Sequence, residues 1–277
     1  MDKIIDQINQ DFSSPWIVSK CPEVYHIDDD ITYRSSREGI LIYQYRPNTS
    51  SREIIVPSQI NGLNVLGISK MAFAGYSADL GEPLYSDFQI DMLIISEGIE
   101  FIDANAFKDA EGIKNIKLPN TLKYIGRRCF ELAQIHSINL PASIVDIGNN
   151  AFSAMRFLEN IEIESQISTI RRETFFCNDV TSVILPDGLI AIEMFAFRGS
   201  KITNIILPDT TRRIEKGAFS DCPHLVSVVL PRKISNIADE AFDSNEENPR
   251  LTFYVYPGSY GLIWAREHGY PTKSAEV

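Results

Sequence analysis

Four histidines, four cysteines and a run of three aspartates are the residues of this 277-residue chain whose chemistry could bind a metal or drive a reaction. Their spacing supports neither role. His26, His136, His224 and His268 fall in four separate segments, without the HxH or HExxH companions that set two imidazoles on one metal. The cysteines form no CxxC pair and are too sparse for a disulfide framework. Cys129, Cys177 and Cys222 each lie within three residues of a phenylalanine (Phe130, Phe175 and Phe219), which predicts small, buried, unreactive side chains. Asp28, Asp29 and Asp30 lack the spacing of a calcium loop and read as a solvated turn. The nucleophile elbow GxSxG, the dinucleotide turn GxGxxG and the phosphate loop GxxxxGK with Ser or Thr are all absent. No metal, cofactor or catalytic group is expected, and the chain reads as a non-enzyme.

The elements that would position a site are set by a repeat. Phenylalanines recur at Phe73, Phe107, Phe130, Phe152, Phe175, Phe197, Phe219 and Phe242, with steps of 34, 23, 22, 23, 22, 22 and 23 residues. Leu-Pro recurs in the same phase at Leu118, Leu140, Leu185, Leu207 and Leu230. Val56-Pro57 and Tyr256-Pro257 keep the proline, whereas Ile95-Ser96 and Ile163-Glu164 keep only the apolar residue. The unit reads LxxVxLPxxLxxIGxxAFxxC, as in IHSINLPASIVDIGNNAFSAM. Alternation before the proline predicts a short strand, the proline ends it, and Ile144 and Ile147 turn the chain back through a second short strand or a tight helical turn. One such unit cannot close a core, so neighbours must stack into a solenoid. Nine strand positions at about 4.8 Å per rung give a length of roughly 40 Å.

Both ends depart from the repeat, as solenoid caps must. Residues 1–30 form an N-terminal segment, with a short helix expected through Ile4, Ile5, Ile8 and Phe12. Residues 31–50 predict a β-hairpin, residues 51–257 the repeats, and residues 258–277 a helical cap and tail containing Ile263, Trp264 and His268. The long step holds a polar insertion at about 74–88, and DSNEENPR is a smaller one. The IGxxAF and Leu-Pro rungs, with IVPSQINGLNVLGISKMAF before them and PGSYGLIWAREHG after them, resemble the BspA-like leucine-rich-repeat family over residues 31 to 271. The resemblance implies a right-handed curved solenoid, a bacterial surface or secreted setting, adhesion to proteins or cells, and no catalytic residues. Ile163-Glu164 departs from its Leu-Pro rung.

With 26 basic residues against 37 acidic ones, the net charge of -11 repels nucleic-acid phosphates and anionic membrane surfaces. No apolar run is long enough to span a membrane, and MDKIIDQINQDFSSP lacks the basic start and apolar core of a signal peptide, so the chain as written reads as soluble and unexported. A monomer that binds a protein partner is expected. Outward strand residues should form two rows, one polar (Asn115, Ser137, Asn160, Ser182, Asn204, Ser227) and one that changes from Lys117, Asn139 and Glu162 to Ile184, Ile206 and Val229. Phe253 and Val255 are expected to extend the apolar half. That half could dock a protein, or its β-branched residues could simply suit strands beside hydrogen-bonded polar ladders. The insertion, with Tyr76 and Tyr85, is a second candidate for partner binding. A glycan-binding face would need stacking aromatics, and an enzyme would need a site assembled across coils.

Overall fold

The computed structural model describes residues 25–28, 31–35, 39–45, 51–75, 90–245 and 251–275. Each coil opens with a short strand in which the side chains alternate in and out. These strands are β4 (Glu53–Val56), β7 (Met92–Ile95), β9 (Asn115–Lys117), β11 (Ser137–Ile138), β13 (Asn160–Glu162), β15 (Ser182–Ile184), β17 (Asn204–Ile206), β19 (Ser227–Val229) and β21 (Thr252–Val255). A buried residue four to six positions after the strand, such as Leu122, Ile144 or Leu189, turns the chain into a second, two-residue strand rather than a helical turn. The second set runs from β8 (Phe101–Ile102) and β10 (Tyr124–Ile125) through β12 (Asp146–Ile147), β14 (Thr169–Ile170), β16 (Ala191–Ile192) and β18 (Arg213–Ile214) to β20 (Asn236–Ile237). The result is a β-solenoid of about nine turns with little helix, pairing in parallel between neighbouring coils.

The third side of each coil carries the phenylalanine. The eight rings are buried and stack in one column, with centroids 4.7 to 5.5 Å apart and planes within 15° of parallel. A backbone ladder accompanies them. Phe107 N–H donates to the Cys129 carbonyl at 2.8 Å, and Phe130 N–H to the Ala151 carbonyl at 2.8 Å. The residues two before and two after the ring are left-handed, as at Asn105, Asp109, Arg128, Leu132, Asn150 and Ala154. That conformation costs an L residue on the order of 1 kcal/mol. It turns these N–H groups along the solenoid axis as well, where Asn105 reaches the Arg127 carbonyl at 3.0 Å and Leu132 the Ser153 carbonyl at 3.0 Å.

This geometry corrects one expectation. Cys129 and Cys222 are fully buried, but Cys177 is exposed. It holds the left-handed position two after Phe175, and the buried slot of that coil is taken by Asn178 one residue later. Burial pushes the Cys129 thiol well up and the Cys222 thiol to about 11, so neither is a thiolate at neutral pH.

Two coils approach their neighbours closely at the glycine that follows the second strand. A Cβ on Gly126 would sit 2.5 Å from Ala104 N, and one on Gly148 2.5 Å from Arg127 N. Between the coil of Phe152 and the coil of Phe175 both strand ladders lapse. Among the described residues β12 does not pair with β14, and β11 meets the next coil only through the Leu140–Ile163 bridge. The junction is held by the turn ladder, the ring stack and an ion pair from Arg171 Nε to Asp146 Oδ1 at 2.9 Å.

The ends close differently. At the front, β1 (Tyr25–Asp28), β2 (Ile31–Ser35) and β3 (Ile40–Tyr45) form an antiparallel meander, and β3 runs parallel to β6 (Leu63–Ile68) to join the second ladder. Asn61 and Gly62, both with positive φ, turn β5 (Gln59–Ile60) into β6. The helix expected near Ile4 lies outside the described residues. At the back, α1 (Tyr260–Glu267) is capped by the Ser259 hydroxyl, which accepts from Leu262 N at 3.2 Å. The helix buries Gly261, Trp264 and Ala265, whereas Ile263 faces outward. Trp264, Tyr270 and Phe253 close the ring stack over Phe242, and β22 (Thr272–Ser274) adds a final parallel strand beside β21.

Candidate functional site: the outer face of the first strands

A proline ends most of these strands and keeps them short, and period-two alternation leaves two rows of side chains on the outer face. In the polar row, Ser137 Oγ donates to Asn115 Oδ1 at 2.7 Å, Ser227 Oγ donates to Asn204 Oδ1 at 2.7 Å, and Asn115 Nδ2 donates to the Asp91 carbonyl at 2.8 Å. These groups spend their hydrogen bonds on each other, so this row reads as a structural ladder.

The adjoining row changes character along its length. Strand register places Ile55, Ile94 and Lys117 in sequence, and further on Glu162 beside Ile184, then Ile206 beside Val229 and Val229 beside Tyr254. Ile184 is 56% exposed and Ile206 70% exposed, whereas Val229 and Tyr254 are half-buried. Lys273 of β22 lies over the Tyr254 ring, 5.9 Å from its centroid.

Phe253 and Val255, expected on this face, point into the core with 0% and 3% exposure. The reason is register. Tyr254 pairs with Val229, which makes Val255 the counterpart of the inward Leu230, so Pro257 stands one residue later than the rung proline elsewhere. A one-residue slip exchanges every inward and outward side chain. The face gains Tyr254, and a glycan-binding reading loses Phe253 as its stacking aromatic. Tyr76 and Tyr85 lie outside the described residues. Ile55, 54% exposed at the front of the same row, was not anticipated, although its place one residue before Val56-Pro57 marks it as outward.

Among the described residues, no group of three or more His, Cys, Asp or Glu could hold a metal ion, and no helix is long and apolar enough to cross a membrane. His136 and His224 are exposed, with His136 against the exposed Phe157 ring at 5.1 Å. His268 stacks on Trp264 at 4.3 Å and meets the Trp264 carbonyl through Nδ1 at 2.8 Å.

The most perturbed carboxylate serves the fold. Asp103 occupies the glycine position of its coil, enclosed under Gly126, and burial raises its pKa to about 6 although it accepts from Ala104 N at 2.6 Å. With the folded value above the unfolded one, its stabilising contribution is present below about pH 4 and is lost as pH rises through about 6. Asp103→Asn is therefore expected to stabilise the protein by about 1 to 3 kcal/mol at neutral pH and to change little near pH 4. Thermal unfolding of both proteins across that range checks it, and an equal effect at the two ends would refute it.

Stacked short parallel strands, a buried ring column and turn-side backbone ladders define a leucine-rich-repeat β-solenoid. The profile of the BspA type leucine rich repeat region matches residues 79–190 and 168–255 in six copies, and the chain belongs to that family. No curated protein shows a significant match to the chain. A leucine rich cell surface protein from Faecalibacterium prausnitzii A2-165 shares the fold at a TM-score of 0.60 and 19% identity, over 85% of this chain and 77% of that one. A leucine rich repeat protein from T. pallidum shares it at a TM-score of 0.54 and 22% identity, over 92% of this chain and 98% of that one.

Proposed function

We propose that this chain is a non-catalytic protein-binding module of the adhesion type, and that it docks its partner on the apolar half of the outer strand face. The observation that carries this reading is the row Ile184, Ile206, Val229 and Tyr254, in which the two isoleucines stand exposed and Val229 and Tyr254 half-buried on outer strand faces that folding leaves uncovered. Apolar side chains in water gain from being covered, and a rigid scaffold loses little entropy when a partner covers them. Membership of a leucine-rich-repeat family and the likeness to a cell surface protein support a role in recognition outside catalysis.

The test is a substitution that changes the face without touching the core. Ile184→Asp combined with Ile206→Asp is expected to weaken partner binding by more than about tenfold, as two desolvated carboxylates would have to be buried. Thermal stability should stay near that of the wild type, because both side chains already face solvent. Lys117→Asp on the polar half should leave binding intact. Undiminished binding by the double variant would remove the apolar half as the docking surface.

A further inference from the structure

We infer that the partner of this face is a protein segment whose apolar side chains are accompanied by lysine or arginine at the end that lies toward Glu162; the inference rests on the docking reading above. It comes from how charge is arranged around the apolar row. At the front end of the row Glu162 sits directly beside Ile184 in strand register, with Glu159 and Glu164 exposed on either side of it. Along one flank Asp187 and Asp209 are exposed three residues beyond Ile184 and Ile206. None of these five carboxylates makes an ion pair among the described residues, although ion pairs between neighbouring coils are common elsewhere, as at Lys114–Asp91, Lys123–Glu100, Lys201–Asp179 and Lys216–Glu240. At the far end the sign reverses, where Lys273 covers Tyr254 and Arg232 lies over Tyr256 with its guanidinium 6.0 Å from the ring centroid.

An apolar floor with an uncompensated negative rim at one end and a cation at the other is polar along its length. Like-signed charge at the Glu162 end would repel an acidic segment, and the same field would draw a basic one in and fix its direction. Rim charges of this kind act mainly on association rate and on salt dependence. The neighbouring Asn and Ser ladder offers no opposing charge.

The probe is a random dodecapeptide phage library, selected on the full chain and on Ile184→Asp/Ile206→Asp. Expected are sequences that combine apolar residues with lysine or arginine and lose binding to the double variant. Their association with Glu162→Gln/Glu164→Gln/Asp187→Asn should fall by about tenfold at low salt and less at high salt. Sequences that need Ile184 and Ile206 but carry no basic residues, or are indifferent to the three neutralisations, overturn this inference and leave the docking reading standing. Sequences indifferent to the double variant, or no selected sequences at all, overturn both.

Discussion

Phe175→Ala is expected to destabilise the solenoid by about 3 to 5 kcal/mol. The side chain is fully buried, its ring lies between Phe152 at 5.5 Å and Phe197 at 5.1 Å, and nothing nearby can fill the space that alanine would leave. Transfer and cavity costs add, and two stacked aromatic contacts are lost as well. Its location magnifies the effect. The coil of Phe175 follows the junction where both strand ladders lapse, so the ring stack is one of the few ties across it. Others are the Leu140–Ile163 bridge, the Arg171–Asp146 pair, the bond from Asn150 Nδ2 to Glu173 Oε2 at 2.7 Å, and turn-ladder bonds such as Phe152 N–H to the Thr174 carbonyl at 3.0 Å. In a solenoid, stability passes only between neighbours, so weakening one junction lets the two sides unfold separately. Urea unfolding of the variant should show a lower midpoint and two transitions. Phe157→Ala, at an exposed ring, should match the wild type, and equal effects of the two substitutions would contradict the ring column as the stabilising element.

The second large effect is expected at Gly148. The Cβ of valine would sit 2.5 Å from Arg127 N and 2.8 Å from Gly126 C, and backbone cannot rotate away as a side chain can. The coils would have to separate, breaking the pairing of β10 with β12, at a cost of about 3 kcal/mol or more. Gly188→Ala is the matched control, because an added Cβ there meets nothing within 4 Å. A Gly148→Val protein as stable as Gly188→Ala would show that close approach at the glycine is not what sets coil spacing.

How much of this was legible in the sequence depended on whether the repeat exposed it. The ring column was legible because phenylalanine returns at 22 or 23 residues in every step but the first. The rows on the outer face followed wherever proline marked the strand end. At Tyr256-Pro257 the proline has moved by one residue, and Phe253 and Val255 were therefore assigned to the wrong side. The left-handed residues around the rings were hidden, because only Gly199 and Gly217 among them are glycine, and Met71, Arg128, Leu132, Ala154, Glu173, Cys177, Phe195 and Ser244 have no local preference for that conformation. Cys177 was misplaced for that reason. The lapse before Arg171 was not legible from the dipeptides, since the coil of Phe107 also lacks both Leu-Pro and Ile-Gly, at Ile95-Ser96 and Ile102-Asp103, and keeps its pairing on both sides. The acidic rim brings together Glu159, Glu162, Glu164, Asp187 and Asp209 from three coils, and only the stacking of those coils sets them around Ile184 and Ile206.

Docking on that row is tested most directly by site-specific photocrosslinking. p-Benzoylphenylalanine is placed at Ile206, in the apolar half, or at Asn139, in the polar half, and the full chain is irradiated with the peptides selected on it. Both positions are exposed on outer strand faces of the same fold, so both report contact without perturbing the core. Crosslinks at position 206 and none at 139 are expected. Crosslinks at 139 with none at 206 would contradict docking on the apolar half.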